Sequence, residues 1–524
     1  MKFIIMSKPV VLVVLDGWGL GKNIKGNAIT SANPPTIKKM DASYPHCALQ
    51  ASGISVGLNW GEVGNSEVGH MTLGAGKIIY QNMPRITMSI QSGEFYQNKI
   101  FLEAMANAKK NNSSLHLMGL VGNGGVHSYI DHLYALLEMA KKEQVEKVYI
   151  HAFTDGRDSS PNAGAELLQK VTKKAQQTGV GKIASVCGRY FGMDRNNNWD
   201  RTQKAYNLLT QGKGETITSP ADYLRASYKK EIFDEHIEPA VVTENGKPVA
   251  IIQENDSLIF FNFREDRARQ ITQAFMAPDF SGFKREPIKN LYFVAMVQYE
   301  ENLKTNVAFP PVKITESLGS ILSDNHKKQL RIAETEKFAH VTYFFNGGDE
   351  KTFPGEERVI IPSAATDVFD KVPEMKAREI TDKVIELAGK NDYDFILINY
   401  ANADMVGHTG NEEATIEAVK SVDHALENLI PFILSKGGCL LITADHGNAE
   451  ELKNNLTGEK DTEHSLNPVP IWFISPENHS DTPRAEESSD PAGLLSDIAP
   501  TILELLEIKK PEGMTGESLL EILK

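Results

Sequence analysis

The sequence has only three cysteines in 524 residues, and it has no long apolar run and no excess of positive charge. Cys47, Cys187 and Cys439 are isolated from one another, which argues against a disulfide framework or a zinc cluster. No apolar stretch approaches the ~20 residues that cross a bilayer, and the opening run Met1–Met6 is too short for the apolar part of a signal peptide. The net charge of −14 argues against general nucleic-acid binding. We therefore expect a cytoplasmic protein that binds neither nucleic acid nor a membrane.

The length and the hydrophobic pattern predict a multidomain α/β protein. A chain of this length exceeds one ordinary hydrophobic core, and its 41% hydrophobic and 24% charged residues are typical of globular proteins. Short branched apolar runs alternate with helical stretches, which predicts mostly parallel sheets. The main predicted strands are Val10–Leu15, Leu115–Val121, Lys147–Phe153, Lys182–Cys187, Ser257–Phe263, Phe395–Tyr400 and Cys439–Thr443. The Pro-rich break Phe309–Val312 is interpreted as a linker, and the acidic segment 476–493 as a surface loop.

The chain is organised around Ser66, which lies in the glycine-flanked stretch Gly64–His70. This pattern is typical of a turn that brings a serine to the start of a helix, where free backbone N–H groups favour a bound phosphate. A serine hydroxyl is a weak nucleophile until a base or a metal ion activates it. If Ser66 is a nucleophile, the rest of the chain should therefore supply residues that can bind a metal ion close to it.

Residues of the kinds that bind metal ions follow three of the predicted strands. They are Asp16, Asp404 with His408, and Asp445 with His446. A further histidine, His464, lies in a later turn that prolines fix. Asp404 and His408 are four residues apart, so on a helical turn they face the same way. A lone Asp-His pair after a strand is usually a cap or a turn, but the whole set with the Ser66 oxygen is large enough for two metal ions. Mixed carboxylate and imidazole ligation suits Mn²⁺, with Zn²⁺ or Mg²⁺ as alternatives, and two cations would activate the serine for phosphoryl transfer.

Basic residues follow the predicted strands in the middle of the chain. They are His127, Arg157 beside Asp158, Arg189, Arg195, Arg264 and Arg267. A guanidinium fork binds two oxygens of a carboxylate or phosphate at once, so a converging set predicts a small substrate with several negative charges. Any one of these arginines alone is more often a solvated surface residue. Arg264 and Arg267 are three residues apart and are expected to share a helix face.

Several segments together resemble the signatures of the cofactor-independent phosphoglycerate mutases. They are Val14–Gly19, Gly64–His70, Thr154–Asp158, Phe263–Arg269, Glu336–Thr342, Asn399–His408 and Thr443–Asn448. The resemblance extends over essentially the whole chain. It implies an alkaline-phosphatase-like α/β domain, residues 1–80 and 313–524, with a second α/β domain, the substrate-binding transferase domain 81–312, inserted into it. It also implies interconversion of 3-phosphoglycerate and 2-phosphoglycerate through a phosphoserine.

The same resemblance implies a role for each residue that matches a family motif. Ser66 would be the nucleophile and Asp158 would move the proton between the glycerate hydroxyls. One Mn²⁺ would be held by Asp404, His408 and His464, and the other by Asp16, Ser66, Asp445 and His446. The implied substrate-binding residues are His127, Arg157, Asp158, Arg189, Arg195, Arg264, Arg267 and Lys337. Zn²⁺, Co²⁺ or Mg²⁺ could replace Mn²⁺, no 2,3-bisphosphoglycerate would be required, and the expected form is a monomer whose partner is the small-molecule substrate.

Two departures from the family and two rival functions stay open at this point. The acidic stretch 476–493 is longer than is usual in the family. Glu463 stands before His464 where a small residue is expected, and it could perturb the affinity of that metal site. A phosphomonoesterase or phosphopentomutase could be built on the same metal ligands, although the arginine-bearing segment favours the glycerate enzyme. A non-catalytic phosphoglycerate- or metal-binding protein is the other alternative, and the complete ligand set with Ser66 argues against it.

Overall fold

The computed structural model describes residues 9–22, 25–366, 368–454, 457–484 and 490–523. The chain divides into two compact units. Unit 1 comprises Met1–Gln81 and Val312–Lys524, and unit 2 comprises Asn82–Pro311. Unit 2 is therefore inserted between the two segments of unit 1. Among the described helices, none has both the length and the apolar character needed to cross a membrane.

The described strands and α-helices alternate along both units. The strands are β1 (Val10–Leu15), β2 (His46–Gln50), β3 (Leu115–Val121), β4 (Val148–Thr154), β5 (Lys182–Gly188), β6 (Glu215–Ile217), β7 (Ala240–Glu244), β8 (Lys247–Pro248), β9 (Ser257–Phe260), β10 (Tyr292–Val297), β11 (Asn306–Phe309), β12 (Gln329–Glu334), β13 (Glu356–Ile361), β14 (Phe395–Tyr400), β15 (Cys439–Thr443), β16 (Val469–Ile474) and β17 (Pro491–Leu494). The helices are α1 (Ala28–Ala32), α2 (Pro35–Ser43), α3 (Ser66–Ala75), α4 (Asn82–Ser92), α5 (Lys99–Lys110), α6 (Ile130–Lys142), α7 (Gly164–Thr178), α8 (Arg189–Gly192), α9 (Trp199–Gln211), α10 (Pro220–Tyr228), α11 (Arg269–Met276), α12 (Leu318–Asp324), α13 (Ala377–Lys390), α14 (Asn402–Gly407), α15 (Glu412–Ser435) and α16 (Ile498–Leu505).

Unit 1 is built on one sheet whose described strands run in the order β13-β12-β14-β1-β15-β16-β2-β17. Strand β1 pairs in parallel with β14 on one side and with β15 on the other. Its residues are at most 3% exposed, which explains why its sequence is apolar at every position rather than at alternate ones. Because parallel strands end at the same edge of a sheet, the residues that follow β14, β1 and β15 lie side by side.

Unit 2 has its own sheet, whose described strands run in the order β11-β10-β9-β3-β4-β5-β7-β6, with β8 paired to β7. Strands β9, β3, β4 and β5 are parallel neighbours. Their carboxyl ends therefore bring together the loops that carry the basic residues of the central segment.

The predicted α/β class is confirmed, and the predicted strands Leu115–Val121, Phe395–Tyr400 and Cys439–Thr443 have the predicted bounds. Two local predictions are wrong. Arg264 and Arg267 do not share a helix face, because the chain there is a turn and α11 begins only at Arg269. The segment 476–493 is not a surface loop throughout, because residues 491–493 belong to β17, which pairs in parallel with β2. Residues 485–489 of that segment lie outside the described residues.

Candidate active site

Ser66 is the first residue of α3, as the glycine-flanked pattern predicts. The Asn65 side chain caps the helix by accepting a hydrogen bond from the backbone N–H of Val68 at 2.9 Å. Gly64 is needed because a Cβ atom there would lie 2.2 Å from the Ala51 carbonyl oxygen. The start of α3 can therefore approach the sheet edge closely, and Ser66 is buried with 6% of its surface exposed.

The Ser66 hydroxyl lies among residues from the ends of β1 and β15. Its Oγ is 3.2 Å from Oδ1 of Asp16 and 2.9 Å from Nε2 of His446. His446 Nε2 is also 3.7 Å from Oδ2 of Asp445. Asp16, Asp445 and His446 each offer a ligand atom within 4.8 Å of the others, and all three are buried. The structure therefore brings together three of the residues that are predicted to hold a metal ion beside Ser66.

A second group of possible metal ligands surrounds Asp404, which lies in α14 after β14. Nε2 of His408 and Nε2 of His464 each lie 3.2 Å from Asp404 Oδ1 and 3.0 Å from each other. Asp404, His446 and His464 also each offer a ligand atom within 4.8 Å of the others, close enough to share one ion. The structure therefore brings Asp404, His408 and His464 together as predicted. Glu463 is exposed beside this group, and its backbone N–H donates to Asp461.

The imidazoles of this site have their proton positions fixed by the backbone. Nδ1 of His408 lies 2.8 Å from the Thr462 carbonyl oxygen, and Nδ1 of His464 lies 2.7 Å from that of Gly64. A carbonyl oxygen can only accept, so each Nδ1 carries a proton and, in the neutral imidazole, each Nε2 presents its lone pair. His446 has the same arrangement with the Gly447 carbonyl oxygen at 3.3 Å. Lone pairs that face one another beside a buried carboxylate are what a divalent cation requires, so these residues fit a metal site.

Lys337 supplies the positive charge among these carboxylates. Its Nζ lies 2.6 Å from Asp16 Oδ1, 2.7 Å from Asp404 Oδ2 and 2.7 Å from the Ser66 hydroxyl. Burial opposes the charged form of Lys337, but the carboxylates, led by Asp16, raise the pKa of this ammonium above its usual value. The ammonium in turn helps to hold the pKa of Asp404 well below its usual range, against the effect of burial. The resemblance groups Lys337 with the substrate-binding arginines; within unit 1 it contacts the Ser66 hydroxyl.

Buried polar residues support the side chains of this site: His70, which the sequence predicts to be a supporting residue rather than a ligand, and Asn399 and Asn448, which the sequence reasoning did not assign. Nδ1 of His70 lies 2.9 Å from the Ser66 carbonyl oxygen and 3.1 Å from Asp445 Oδ2. The Asn399 side chain donates to Asp16 Oδ2 at 2.7 Å, and the Asn448 side chain donates to Asp404 Oδ1 at 2.9 Å. The family-like segments contained all three residues, but their spacing alone did not show which ligand each one contacts.

The loop that leads into Ser66 carries an exposed tryptophan. Trp60 is 85% exposed and lies six positions before the serine. Its turn is closed by Oε2 of Glu62, which accepts hydrogen bonds from the backbone and side-chain nitrogens of Asn59 at 3.1 and 2.8 Å. These hydrogen bonds stabilise the turn although its tip is exposed.

The loops after β4 and β5 of unit 2 form a basic cluster centred on Arg189. This side chain is 2% exposed, and its Nη1 donates to Asp155 Oδ1 at 2.6 Å and to Asp158 Oδ2 at 2.5 Å. Burial lowers the pKa of Arg267, and the nearby Arg189 and Arg195 lower it further. The predicted convergence of guanidinium groups is therefore present in unit 2.

Carboxylates pair with the more exposed arginines of this cluster. Arg195 Nη1 donates to Asp266 Oδ2 at 2.6 Å, and Arg264 Nε lies 3.1 Å from Asp266 Oδ1. Arg157 Nη1 donates to Glu235 at 3.4 Å. The sequence reasoning missed Asp155, Glu235 and Asp266 as members of the cluster. For Asp266, its position between Arg264 and Arg267 was a usable signal.

His127 lies between two of these carboxylates. Its Nε2 is 4.0 Å from Asp158 Oδ2, and its Nδ1 is 3.6 Å from Asp266 Oδ1. Burial lowers the pKa of His127 to about 4, and the charge of Arg189 adds to this effect while the two carboxylates oppose it. The imidazole is therefore neutral at pH 7 and can donate from one nitrogen and accept at the other.

Two family models match the chain in overlapping regions. The model described as "BPG-independent PGAM N-terminus" matches residues 86–301. The model described as "Type I phosphodiesterase / nucleotide pyrophosphatase" matches residues 261–488.

Curated relatives match the chain over nearly its whole length. A 2,3-bisphosphoglycerate-independent phosphoglycerate mutase of Clostridioides difficile is 49% identical over 516 residues, which are 98% of this chain and 99% of the relative. The Clostridium beijerinckii protein of the same name is 50% identical over 515 residues, with the same coverage. Among solved structures, a phosphoglycerate mutase of Leishmania mexicana, crystallised at low cobalt concentration, aligns with a TM-score of 0.54 and 29% identity over 99% of this chain and 98% of its own.

Proposed function

This chain belongs to the family of 2,3-bisphosphoglycerate-independent phosphoglycerate mutases, and from that premise we propose how its residues interconvert 3-phosphoglycerate and 2-phosphoglycerate. The enzyme is an isomerase of the alkaline phosphatase superfamily. In the proposed reaction Ser66 accepts the phosphoryl group from one glycerate oxygen and returns it to the other. The placement of the Ser66 hydroxyl against Asp16, His446 and Lys337 carries this proposal.

The first step is the attack of Ser66 Oγ on phosphorus. The Ser66 hydroxyl gives up its proton to solvent, the new O–P bond forms as the bond from phosphorus to the glycerate oxygen breaks, and the departing oxygen takes up a proton from Asp158, which leaves a phosphoserine and free glycerate. Lys337 supports this step because its ammonium contacts Oγ at 2.7 Å and offsets the negative charge that develops there. The start of α3 adds free backbone N–H groups that favour the phosphate.

The proposed metal ligands fall into two sets. Asp404, His408 and His464 would hold one divalent cation, and Asp16, Ser66, Asp445 and His446 the other. Three imidazoles that direct Nε2 lone pairs into the site support this assignment. The mixture of carboxylate and imidazole suits Mn²⁺, with Zn²⁺, Co²⁺ or Mg²⁺ as alternatives. When bound, such cations lower the pKa of a serine hydroxyl and offset the charge of the transferring phosphoryl group.

The arginine cluster of unit 2 is proposed to hold glycerate while the phosphoserine exists. Its guanidinium groups match the substrate carboxylate, and Arg189 is already fixed by two carboxylates. Retention of glycerate is what separates a mutase from a phosphatase, because water would otherwise hydrolyse the intermediate. Asp158 is proposed to remove the proton from the hydroxyl that attacks the phosphoserine. We also propose that the enzyme works as a monomer and that it needs no 2,3-bisphosphoglycerate, in line with the names of its curated relatives.

The experiment that tests this function couples the purified protein, Mn²⁺ and 3-phosphoglycerate to enolase, with no added 2,3-bisphosphoglycerate. Free phosphate is recorded in the same samples. We expect an enolase signal without phosphate release, which a chelator abolishes. Phosphate release without an enolase signal would instead support a phosphatase. The absence of both signals would favour a binding protein.

A further inference from the structure

The segment 335–345, which follows β12, runs beside α3 in unit 1. Ser66 and His70 are four residues apart on α3, so they lie on one face of the helix. At the start of that face Lys337 Nζ contacts the Ser66 hydroxyl at 2.7 Å. One helical turn further along, the ring centroids of His340 and His70 are 5.4 Å apart. The segment therefore stays in contact with the helix that carries the nucleophile.

A third contact lies one more turn along the same face of α3, at Gly74. A Cβ atom on Gly74 would lie 1.9 Å from the Phe345 carbonyl oxygen, so the two backbones touch directly. Both sides of this contact are packed tightly. Phe345 is fully buried, with the guanidinium carbon of Arg331 4.5 Å from the centre of its ring. On α3, a Cβ atom on Gly69 would lie 2.8 Å from the Asp445 carbonyl oxygen. A methyl group added to Gly74 would therefore displace the segment relative to the helix.

The chain between the second and third contacts forms a π-helical turn, His340–Phe344, which we call the π-turn. The Phe345 N–H donates to the His340 carbonyl oxygen at 3.1 Å, five residues back rather than the four of an α-helix. A π-turn adds one residue to a helical path, and such turns are rare and frequently lie at functional sites. In an α-helical turn, Phe344 would follow His340 at this level instead of Phe345. The additional residue therefore determines which part of the segment meets Gly74.

We propose that the π-turn is a positioning device, which holds the Lys337 ammonium against the Ser66 hydroxyl through its contacts with α3. His340, Phe345 and Gly74 are positioning residues in this proposal, because they act on the ammonium and not on the substrate. A hydrogen bond requires a narrow range of distances, and a misplacement of about 1 Å can slow a reaction about a hundredfold. The inference rests on the proposed function, because it takes Ser66 as the nucleophile.

The test adds one methyl group at the closest contact, in Gly74→Ala. The values of kcat and KM are measured for the full-length protein with Mn²⁺ in the enolase-coupled assay, and circular dichroism gives the folded fraction by which kcat is corrected. We expect kcat and kcat/KM to fall together by at least about tenfold, because the lost contact acts on the transition state and not on substrate binding.

Chemical labelling measures the position of Lys337 independently of activity. Its side chain is only 5% exposed, so acetic anhydride should label this amine slowly in the wild-type protein. Peptide mass spectrometry gives the labelling rate of each lysine in the same Mn²⁺ buffer. In Gly74→Ala we expect Lys337 to be labelled several times faster than in the wild type, because the displaced amine is less enclosed. The more exposed Lys383 should be labelled at an unchanged rate.

Gly389→Ala is the matched control, because it makes the same substitution in another helix of unit 1. Gly389 is an exposed residue of α13, and a Cβ atom there would have no atom of the described residues within 4 Å. Its kcat and its Lys337 labelling should equal those of the wild type. His340→Ala removes the middle contact without adding an atom, and it replaces Gly74→Ala if the latter does not fold. We expect both readouts to change in the same direction in His340→Ala.

Labelling of Lys337 at the wild-type rate in the variants would overturn the positioning role, whatever happens to kcat. Faster labelling with an unchanged kcat would also overturn it, because the reaction would then not depend on where the ammonium lies. The enolase-coupled assay on the wild type separates the two proposals. An inactive wild type refutes the proposed function, whereas an active wild type with unchanged labelling in the variants refutes only the role of the π-turn.

Discussion

Replacement of Lys337 by methionine should destabilise unit 1 strongly when no metal ion is present. The ammonium contacts two carboxylates at 2.6 and 2.7 Å, and these carboxylates are at most 2% exposed. Removal of one partner from a buried ion pair leaves an uncompensated charge and typically costs about 3–5 kcal/mol. Asp445 is buried in the same group and adds to the repulsion. Added Mn²⁺ should restore much of the lost free energy, because a bound cation replaces the missing charge.

Hydrogen exchange followed by mass spectrometry measures this effect in each unit separately. Peptides from β1 report the unfolding of unit 1, and peptides from β3 report that of unit 2. In Lys337→Met with a chelator, protection of β1 should fall at least about a hundredfold, because 1.4 kcal/mol corresponds to a factor of ten. Protection of β3 should stay the same.

Lys383→Met is the matched control for this experiment. Lys383 is an exposed lysine of unit 1 that pairs with Glu386 on α13, and loss of an exposed pair costs about 0–1 kcal/mol. Equal protection of β1 in Lys337→Met and in the wild type, both with chelator, would refute the reasoning. The buried carboxylates would then not depend on the ammonium for their stability.

Three further predictions concern the nucleophile, substrate retention and acid stability. Ser66→Ala should lose mutase turnover in the enolase-coupled assay while its circular dichroism spectrum is unchanged; more than trace activity would contradict the phosphoserine route. Arg264→Ala should weaken the hold on glycerate and release free phosphate, and unchanged mutase activity without phosphate release would argue against the assigned arginine cluster. Burial lowers the pKa of His132 from its ordinary value of 6.5 to about 3. When the pH falls below 6.5, this histidine therefore becomes protonated in the unfolded chain but stays neutral in the folded chain. The free energy of unfolding consequently decreases as the pH falls. By urea titration, His132→Gln should lose about 2 kcal/mol less unfolding free energy than the wild type between pH 7 and pH 5; an equal loss in both proteins would contradict the buried neutral histidine.

The sequence predicted that the proposed metal ligands lie close together, because their placement follows from the sheet. Asp16, Asp404 and Asp445 come after buried strands, and adjacent parallel strands bring such residues together whatever their distance in the chain. The order of the strands was not predictable, since it depends on pairing between distant segments. The same holds for β16, which lies antiparallel to both of its neighbours.

Predictions failed where local spacing was used in place of tertiary contacts. Arg264 and Arg267 have helical spacing, but the turn there lets Arg264 approach Asp266 and lets Arg267 donate to the Met193 carbonyl oxygen at 3.2 Å. The partners of the ligands, such as Asn399, were equally inaccessible because an amide beside a carboxylate leaves no periodic pattern. The acidic segment 476–493 was predicted to be a solvated loop because it is rich in charged residues. That composition gave no indication of the short strand at its end.

The exposed Trp60 makes the loop before Ser66 optically observable without a label. Trp18 and Trp472 are at most 2% exposed, so a dissolved quencher such as acrylamide reaches their indoles poorly, whereas it has free access to Trp60. Trp199 is partly exposed and packs against Phe280, so in a Trp199→Phe background the quenchable part of the tryptophan fluorescence comes largely from Trp60, six residues before Ser66. Replacement of Trp60 by phenylalanine would identify that part of the emission, and stopped-flow recording of it would follow events beside the serine on the time scale of a single turnover.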